Sequence, residues 1–120
     1  MLRFSIFVIS ALATSSVSST AYAHAHLKAS VPAENASVPT PSEIDLTFSE
    51  ELNLKFSGIK LTGADKKEIK LGEGMLMEKD KVLMVPVSGK LQPGSYTVEW
   101  HVLSTDGHKT NGAYSFGVKP

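Results

Sequence analysis

Apolar and polar residues alternate strictly from Ile44 to Ser49, with Ile44, Leu46 and Phe48 on one face and Asp45, Thr47 and Ser49 on the other. A period of two is that of a half-buried β-strand, and Pro39 and Pro41 punctuate its entry. A second alternating run follows the turn signal Pro93-Gly94. Here Tyr96, Val98, Trp100 and Val102 are expected to face inward, and Thr97, Glu99 and His101 outward. Shorter runs at Ile59 to Leu61, Glu68 to Leu71, Lys81 to Val87 and Ala113 to Val118 are separated by Gly63-Ala64-Asp65, Gly72 to Gly74, Ser88-Gly89 and Asn111-Gly112. Frequent short strands with turn residues between them predict an all-β sandwich or small barrel. No segment carries a long apolar face of period 3.6, and no internal repeat is present.

The opening residues follow a different pattern. Arg3 precedes an apolar run from Phe4 to Ala13, and small polar residues lead to Ala21-Tyr22-Ala23. This order predicts a secretory signal peptide over residues 1–23 with a small-x-small cleavage site, and a mature domain over residues 24–120. The apolar run falls short of the about 20 residues that span a bilayer as a helix. The 97 mature residues are of single-domain size. Lys plus Arg and Asp plus Glu each number 12 in the chain, and Arg3 lies in the leader, so the mature domain has one acidic residue in excess. That balance argues against nucleic-acid or anionic-lipid partners. The chain has no cysteine, which excludes disulfides, thiolate metal sites and cysteine nucleophiles. Any metal must be held by His, Asp, Glu, Met or backbone groups, the amino terminus included.

The chain has four histidines, His24, His26, His101 and His108, and two of them fall within the first three residues of the expected mature protein. A freed His24 offers an α-amine and a ring nitrogen that can chelate one metal ion. The amine has an ordinary pKa near 8, so a metal with high nitrogen affinity displaces its proton near neutral pH. Cu(II) heads the divalent order for such ligands and prefers tetragonal N,O geometry. The competing expectation is that His24 and His26 are solvated polar residues at a chain end. Asp106 and His108 straddle Gly107 just after the Trp100 run. They form a second candidate pair, set against the plain reading of Asp-Gly as a turn. His101 is expected to face solvent. Met75, Met77 and Met84 offer soft thioether sulfur for Cu(I), and packing in the core or at its rim is the competing expectation.

The segments His24-Ala25-His26-Leu27-Lys28, Leu46-Thr47-Phe48-Ser49-Glu50, Phe56-Ser57-Gly58 and the run from Pro93 to His108 together resemble the CopC family of periplasmic copper-resistance proteins, YobA-type members in particular. The resemblance covers essentially the whole mature chain. It implies a Greek-key β-barrel or sandwich of cupredoxin or immunoglobulin-like character. It also implies a periplasmic protein that binds one Cu(II) ion through the amine and ring of His24, through Asp106 and through His108. A CopD-type inner-membrane protein is the partner it suggests. Some members of the family bind Cu(I) in a methionine-dense loop. Here residues 59–84 hold three methionines, no histidine and several charges, a departure from that pattern.

His26 stands at the third mature position, so the amine, two ionised amides and its imidazole could instead form a square-planar Cu(II) or Ni(II) site that needs neither Asp106 nor His108. If the first residues pair as a strand, His24 and His26 share a face, and His26 is an accessory group. In another class, an N-terminal histidine with a second histidine resembles the histidine brace of oxidative polysaccharide-cleaving copper enzymes. A carrier rather than an enzyme is the reading favoured here, because Tyr96 and Trp100 are expected in the core and leave no aromatic platform for a carbohydrate.

Overall fold

The computed structural model describes residues 26–120. The expected signal peptide over 1–23 and the candidate ligand His24 lie outside the described residues. Among the described residues nine strands follow in order: β1 (Leu27–Val31), β2 (Ser37–Val38), β3 (Glu43–Phe48), β4 (Gly58–Gly63), β5 (Glu68–Ile69), β6 (Met75–Met77), β7 (Val82–Pro86), β8 (Gly94–Leu103) and β9 (Lys109–Val118). A 3-10 turn at Leu54–Phe56 precedes β4. Its first open N–H groups are met by Asn53, whose side-chain oxygen accepts from the Lys55 N–H at 3.0 Å.

The strands form two sheets, ordered β1-β3-β7-β6 and β2-β9-β8-β4-β5. The chain changes sheet between β1 and β2, β2 and β3, β3 and β4, β5 and β6, and β7 and β8. Sequence neighbours are therefore often on opposite layers, as in a Greek-key sandwich. The two-sheet arrangement decides between the sandwich and the closed barrel expected from the alternation.

The inward set is the one the alternation predicts. Ile44, Leu46 and Phe48 of β3 face Val98, Trp100 and Val102 of β8, and all six are buried along with Leu61, Leu83, Val85 and Phe116. Phe48 meets Trp100 edge-on, with centroids 5.1 Å apart and planes at 71°. Such a contact contributes about 0.5–1.5 kcal/mol beyond the area it removes from water. At the other end Tyr96 stacks on Phe116 at 5.8 Å, and its hydroxyl donates to the Gln92 carbonyl at 2.6 Å.

Two expectations change. Asn111-Gly112, taken above as a separator, lies inside β9, where Gly112 is the cross-strand partner of Trp100. A Cβ at Gly112 would fall 2.5 Å from Cζ2 of the indole, so this glycine serves a close approach within a strand rather than a turn. Of the two packing positions expected for the methionines, Met75 and Met77 do not take the core: they are exposed on β6, an edge strand. Met84 is half-buried and pairs with Met75. Among the described residues no helix is long and apolar enough to cross a membrane.

Candidate metal centre

β8 and β9 form a ten-rung antiparallel hairpin whose last pair is Leu103 with Lys109. Residues 104–108 are the tip. The tip closes because the Gly107 N–H donates to the Ser104 carbonyl at 2.9 Å and the Ser104 N–H to the His108 carbonyl at 2.9 Å. Gly107 has φ +95°, a value side chains rarely tolerate, so the glycine between the two candidate ligands is what lets the chain bend there.

The tip is also tied from outside. The Thr105 N–H donates to the Glu51 carbonyl at 2.9 Å and the Asn53 N–H to the Leu103 carbonyl at 2.8 Å. Leu52 and Ser104 form an antiparallel bridge. The Ser57 hydroxyl accepts from the Leu103 N–H at 3.1 Å while donating to the Asn53 carbonyl at 2.8 Å. The connection that follows β3 thus braces the end of β8.

On this frame Asp106 and His108 come together, as their spacing predicted. The His108 ring Nδ1 lies 3.2 Å from Asp106 Oδ1, and both side chains are about half exposed, 47% and 46%. The same Oδ1 receives a close hydrogen bond from the Ser104 hydroxyl. Ser104 is 1% exposed. The Ser104 hydroxyl first, and the His108 ring second, hold the Asp106 carboxyl below its usual range. Oxygen and imidazole nitrogen on one rigid turn suit a borderline divalent cation such as Cu(II). Among the described residues no third His, Asp or Glu converges with the pair.

His26 immediately precedes β1. Its N–H donates to the Ser49 hydroxyl oxygen at 2.9 Å, and its carbonyl accepts from the Ser49 N–H at 2.9 Å. Ser49 is two residues from Glu51, which holds the tip, so the start of the described chain and the Asp106–His108 turn share one end of the sandwich. His101 is exposed on the outer face of β8, as expected, and its ring lies against Gly58. It lines a separate cavity of about 390 Å³ with Phe56, Lys55 and Lys109. Sequence reasoning passed over two serines. Ser49 closes a strand pattern and Ser104 opens a turn. A small polar residue two positions before an aspartate at a turn was the available signal for Ser104.

The CopC domain family model matches residues 27–119, which include Asp106 and His108. Protein YobA of Escherichia coli strain K12 is 47% identical over 115 residues, covering 94% of this chain and 93% of that protein. Copper resistance protein C of Escherichia coli is 36% identical over 110 residues, covering 86% and 87%. The crystal structure of PcoC, a methionine-rich copper resistance protein from Escherichia coli, superposes with a TM-score of 0.72 at 36% identity over 81% of this chain and 100% of that one. The crystal structure of CopC from Methylosinus trichosporium OB3b does so with a TM-score of 0.74 at 28% identity, covering 81% and 95%. With a domain match over nearly all of its described length, relatives of this identity and the same two-sheet frame, the chain belongs to the CopC family.

Proposed function

We propose that the processed protein binds one Cu(II) ion in the periplasm and sequesters or carries it, as part of copper homeostasis or resistance. The ligands in this reading are the amine and ring of His24, a carboxylate oxygen of Asp106 and a ring nitrogen of His108. The observation that carries it is the Asp106–His108 pair, fixed at 3.2 Å on the braced hairpin tip. The family relatives named for copper resistance support the choice of metal.

The position of His26 supports the choice of His24. His26 is held at Ser49, two residues before Glu51, which braces the tip, so the residue two places ahead of His26 enters at the same end of the sandwich. The three-residue terminal motif needs the His26 amide ionised and on the metal. That amide donates to Ser49, so forming the motif means breaking a strand contact, and His26 is better read as an accessory group. A carrier role suits the surface. Tyr96 and Trp100 are buried and offer no platform to a polysaccharide, which weighs against the histidine-brace enzyme.

Handover to a CopD-type inner-membrane protein is the second part of the proposal. Copper transport protein CutJ of Bacillus subtilis supports it. Over 107 residues at 28% identity, 82% of this chain aligns with only 19% of that longer protein, so a domain of this kind occurs there joined to a much larger chain.

The test is Cu(II) titration and paramagnetic resonance of protein beginning at His24. A three-nitrogen, one-oxygen spectrum is expected, with affinity falling at least tenfold, about 1.4 kcal/mol, in His108→Ala. Unchanged affinity in both His108→Ala and Asp106→Ala would sink the proposal, and a four-nitrogen spectrum abolished by His26→Ala would replace it with the terminal motif.

A further inference from the structure

We infer that Ser104 is a positioning residue for the copper ligands, an inference that rests on the reading of Asp106 and His108 as ligands. Ser104 is the buried polar side chain beneath the hairpin tip, at 1% exposure. A buried hydroxyl is retained where it is hydrogen-bonded, and it has one proton to give and lone pairs to share. Three groups lie within reach. Asp106 Oδ1 makes the closest contact, and the His108 carbonyl and the His108 N–H each lie at 3.3 Å.

The single proton can go to one acceptor. The His108 carbonyl already accepts the Ser104 N–H at 2.9 Å, whereas the carboxylate is charged and nearer, and charge-assisted bonds are the stronger ones. The hydroxyl therefore donates to Asp106 Oδ1 and takes the His108 N–H on a lone pair. One buried oxygen thus addresses the side chain of one ligand and the backbone of the other.

The consequence reaches the metal-binding atoms. With Oδ1 held by Ser104, the Asp106 carboxylate is oriented to receive the Nδ1–H of His108 at 3.2 Å. That bond keeps carboxylate and ring side by side in the copper-free protein, and it must open when both groups take one ion, because the two ring nitrogens face opposite ways and an ion on Nε2 lies beyond the reach of a carboxylate still bonded to Nδ1. Without the hydroxyl the carboxylate and the ring keep their chemistry but lose the orientation that makes them one site.

Outer contacts of this kind are worth about 10- to 100-fold in metal affinity, and that loss is expected for Ser104→Ala in protein beginning at His24, with an altered copper hyperfine pattern. Ser104→Thr keeps the hydroxyl and is expected to restore affinity to within about threefold of the unsubstituted protein, whatever its added methyl does to thermal stability. In an Asp106→Ala background, Ser104→Ala is expected to cost little further affinity, because its effect passes through Asp106. A requirement that is merely structural would move stability and leave the hyperfine pattern of the folded protein unchanged.

The unsubstituted, copper-free protein gives an independent measurement. Nitrogen-15 spectra of neutral His108 are expected to show the proton on Nδ1, and a proton on Nε2 overturns the inference even if Ser104→Ala does not fold. If Asp106→Ala weakens copper binding but Ser104→Ala changes neither affinity nor spectrum, the positioning role alone fails. If Asp106→Ala has no effect, the ligand assignment fails first.

Discussion

Replacing Gly112 with alanine tests whether the hairpin that carries the candidate ligands is set by the Trp100 ring. The two residues are cross-strand partners three rungs below the last pair of the hairpin. A Cβ at Gly112 would lie 2.5 Å from Cζ2, 2.8 Å from Cε2 and 3.2 Å from Nε1 of Trp100. Carbon atoms in contact settle at about 3.5–4.0 Å, so the indole must withdraw by roughly 1 Å. It has little room, since Trp100 is buried and stands edge-on to Phe48, itself buried, at 5.1 Å. Overpacking of this kind costs about 1–3 kcal/mol. The lower chain entropy of alanine in a strand returns about 0.5–1 kcal/mol. The net expectation is a loss of about 1–2 kcal/mol, or a fall in Tm of roughly 5–15 °C for a domain of this size. Urea and thermal denaturation of the mature protein, followed by circular dichroism, measure it. Trp100→Phe removes the atoms that clash, so the double variant is expected to be more stable than the sum of the two single losses predicts, by at least about 1 kcal/mol. A loss under about 0.5 kcal/mol for Gly112→Ala, or additivity in the double variant, would refute the close-approach account.

Two predictions concern pH. Burial, and then the neighbouring Glu43 carboxyl, push Asp45 on β3 up to about 6 from 3.8. The folded state therefore holds its proton more tightly than the unfolded chain, and stability falls as pH rises from about 4 through about 6. Asp45→Asn is expected to flatten that fall and to stabilise the protein at pH 7, by of order 1 kcal/mol once solvent screening is allowed for, as read from urea midpoints at pH 4 and 7. Equal stabilisation at both pH values would show that the titration is not the cause. Asp106 has the opposite sign, because Ser104 and His108 hold its carboxyl down. Its contribution is complete above the unfolded carboxyl range near pH 4 and fades as pH falls through the lower folded value. Urea midpoints of Asp106→Asn are accordingly expected to change less between pH 4 and pH 2 than those of the unsubstituted protein, and an identical acid slope would contradict this.

Much of the fold was legible where one face of a strand is buried and the other wet. Ile44 to Phe48 and Tyr96 to Val102 declare their inward sets by alternation alone, and both sets are in the core. β1 and β6 were not legible. Leu27-Lys28-Ala29-Ser30-Val31 alternates weakly and is an edge strand with a register shift between Leu27 and Ala29. Met75-Leu76-Met77 is three residues long and owes its strand conformation to pairing with β7. Gly112 misled because glycine after asparagine signals a turn locally, whereas its role is decided by an indole twelve residues away in sequence. In the candidate site, Asp106 and His108 were legible from spacing. Ser104 was not, because its burial depends on the bridge to Leu52, a contact between segments some fifty residues apart. Resemblance contributed the ligand assignment of His24, which neither periodicity nor spacing supplies.

The division of the proposed site between a braced tip and a chain terminus leads to the last prediction. Asp106 and His108 are held by Ser104, Gly107 and the Glu51 connection whether or not residues precede His24, so the tip contributes the same two donors in either form. Two donors without a third make a weak site for a cation that prefers four in a plane. In the proposed site the amine of His24 becomes available only if the chain is cleaved after Ala23. In the precursor that nitrogen is an amide, which binds copper only on ionisation, and the chelate ring with the imidazole is lost with it. A protein carrying one added residue before His24 isolates this effect from the rest of the leader. Its Cu(II) affinity is expected to fall by at least tenfold, about 1.4 kcal/mol, with thermal stability of the copper-free form unchanged, because His26 and Ser49 still pair. Competition titration against a chelator of known affinity measures the first and calorimetry the second. An extended protein that binds copper as tightly as the processed one would remove His24 from the ligand set. Loss of affinity together with loss of stability would instead show that the extension disturbs β1, and the comparison would then be made with His24→Ala, which keeps the amine and the strand while removing only the ring.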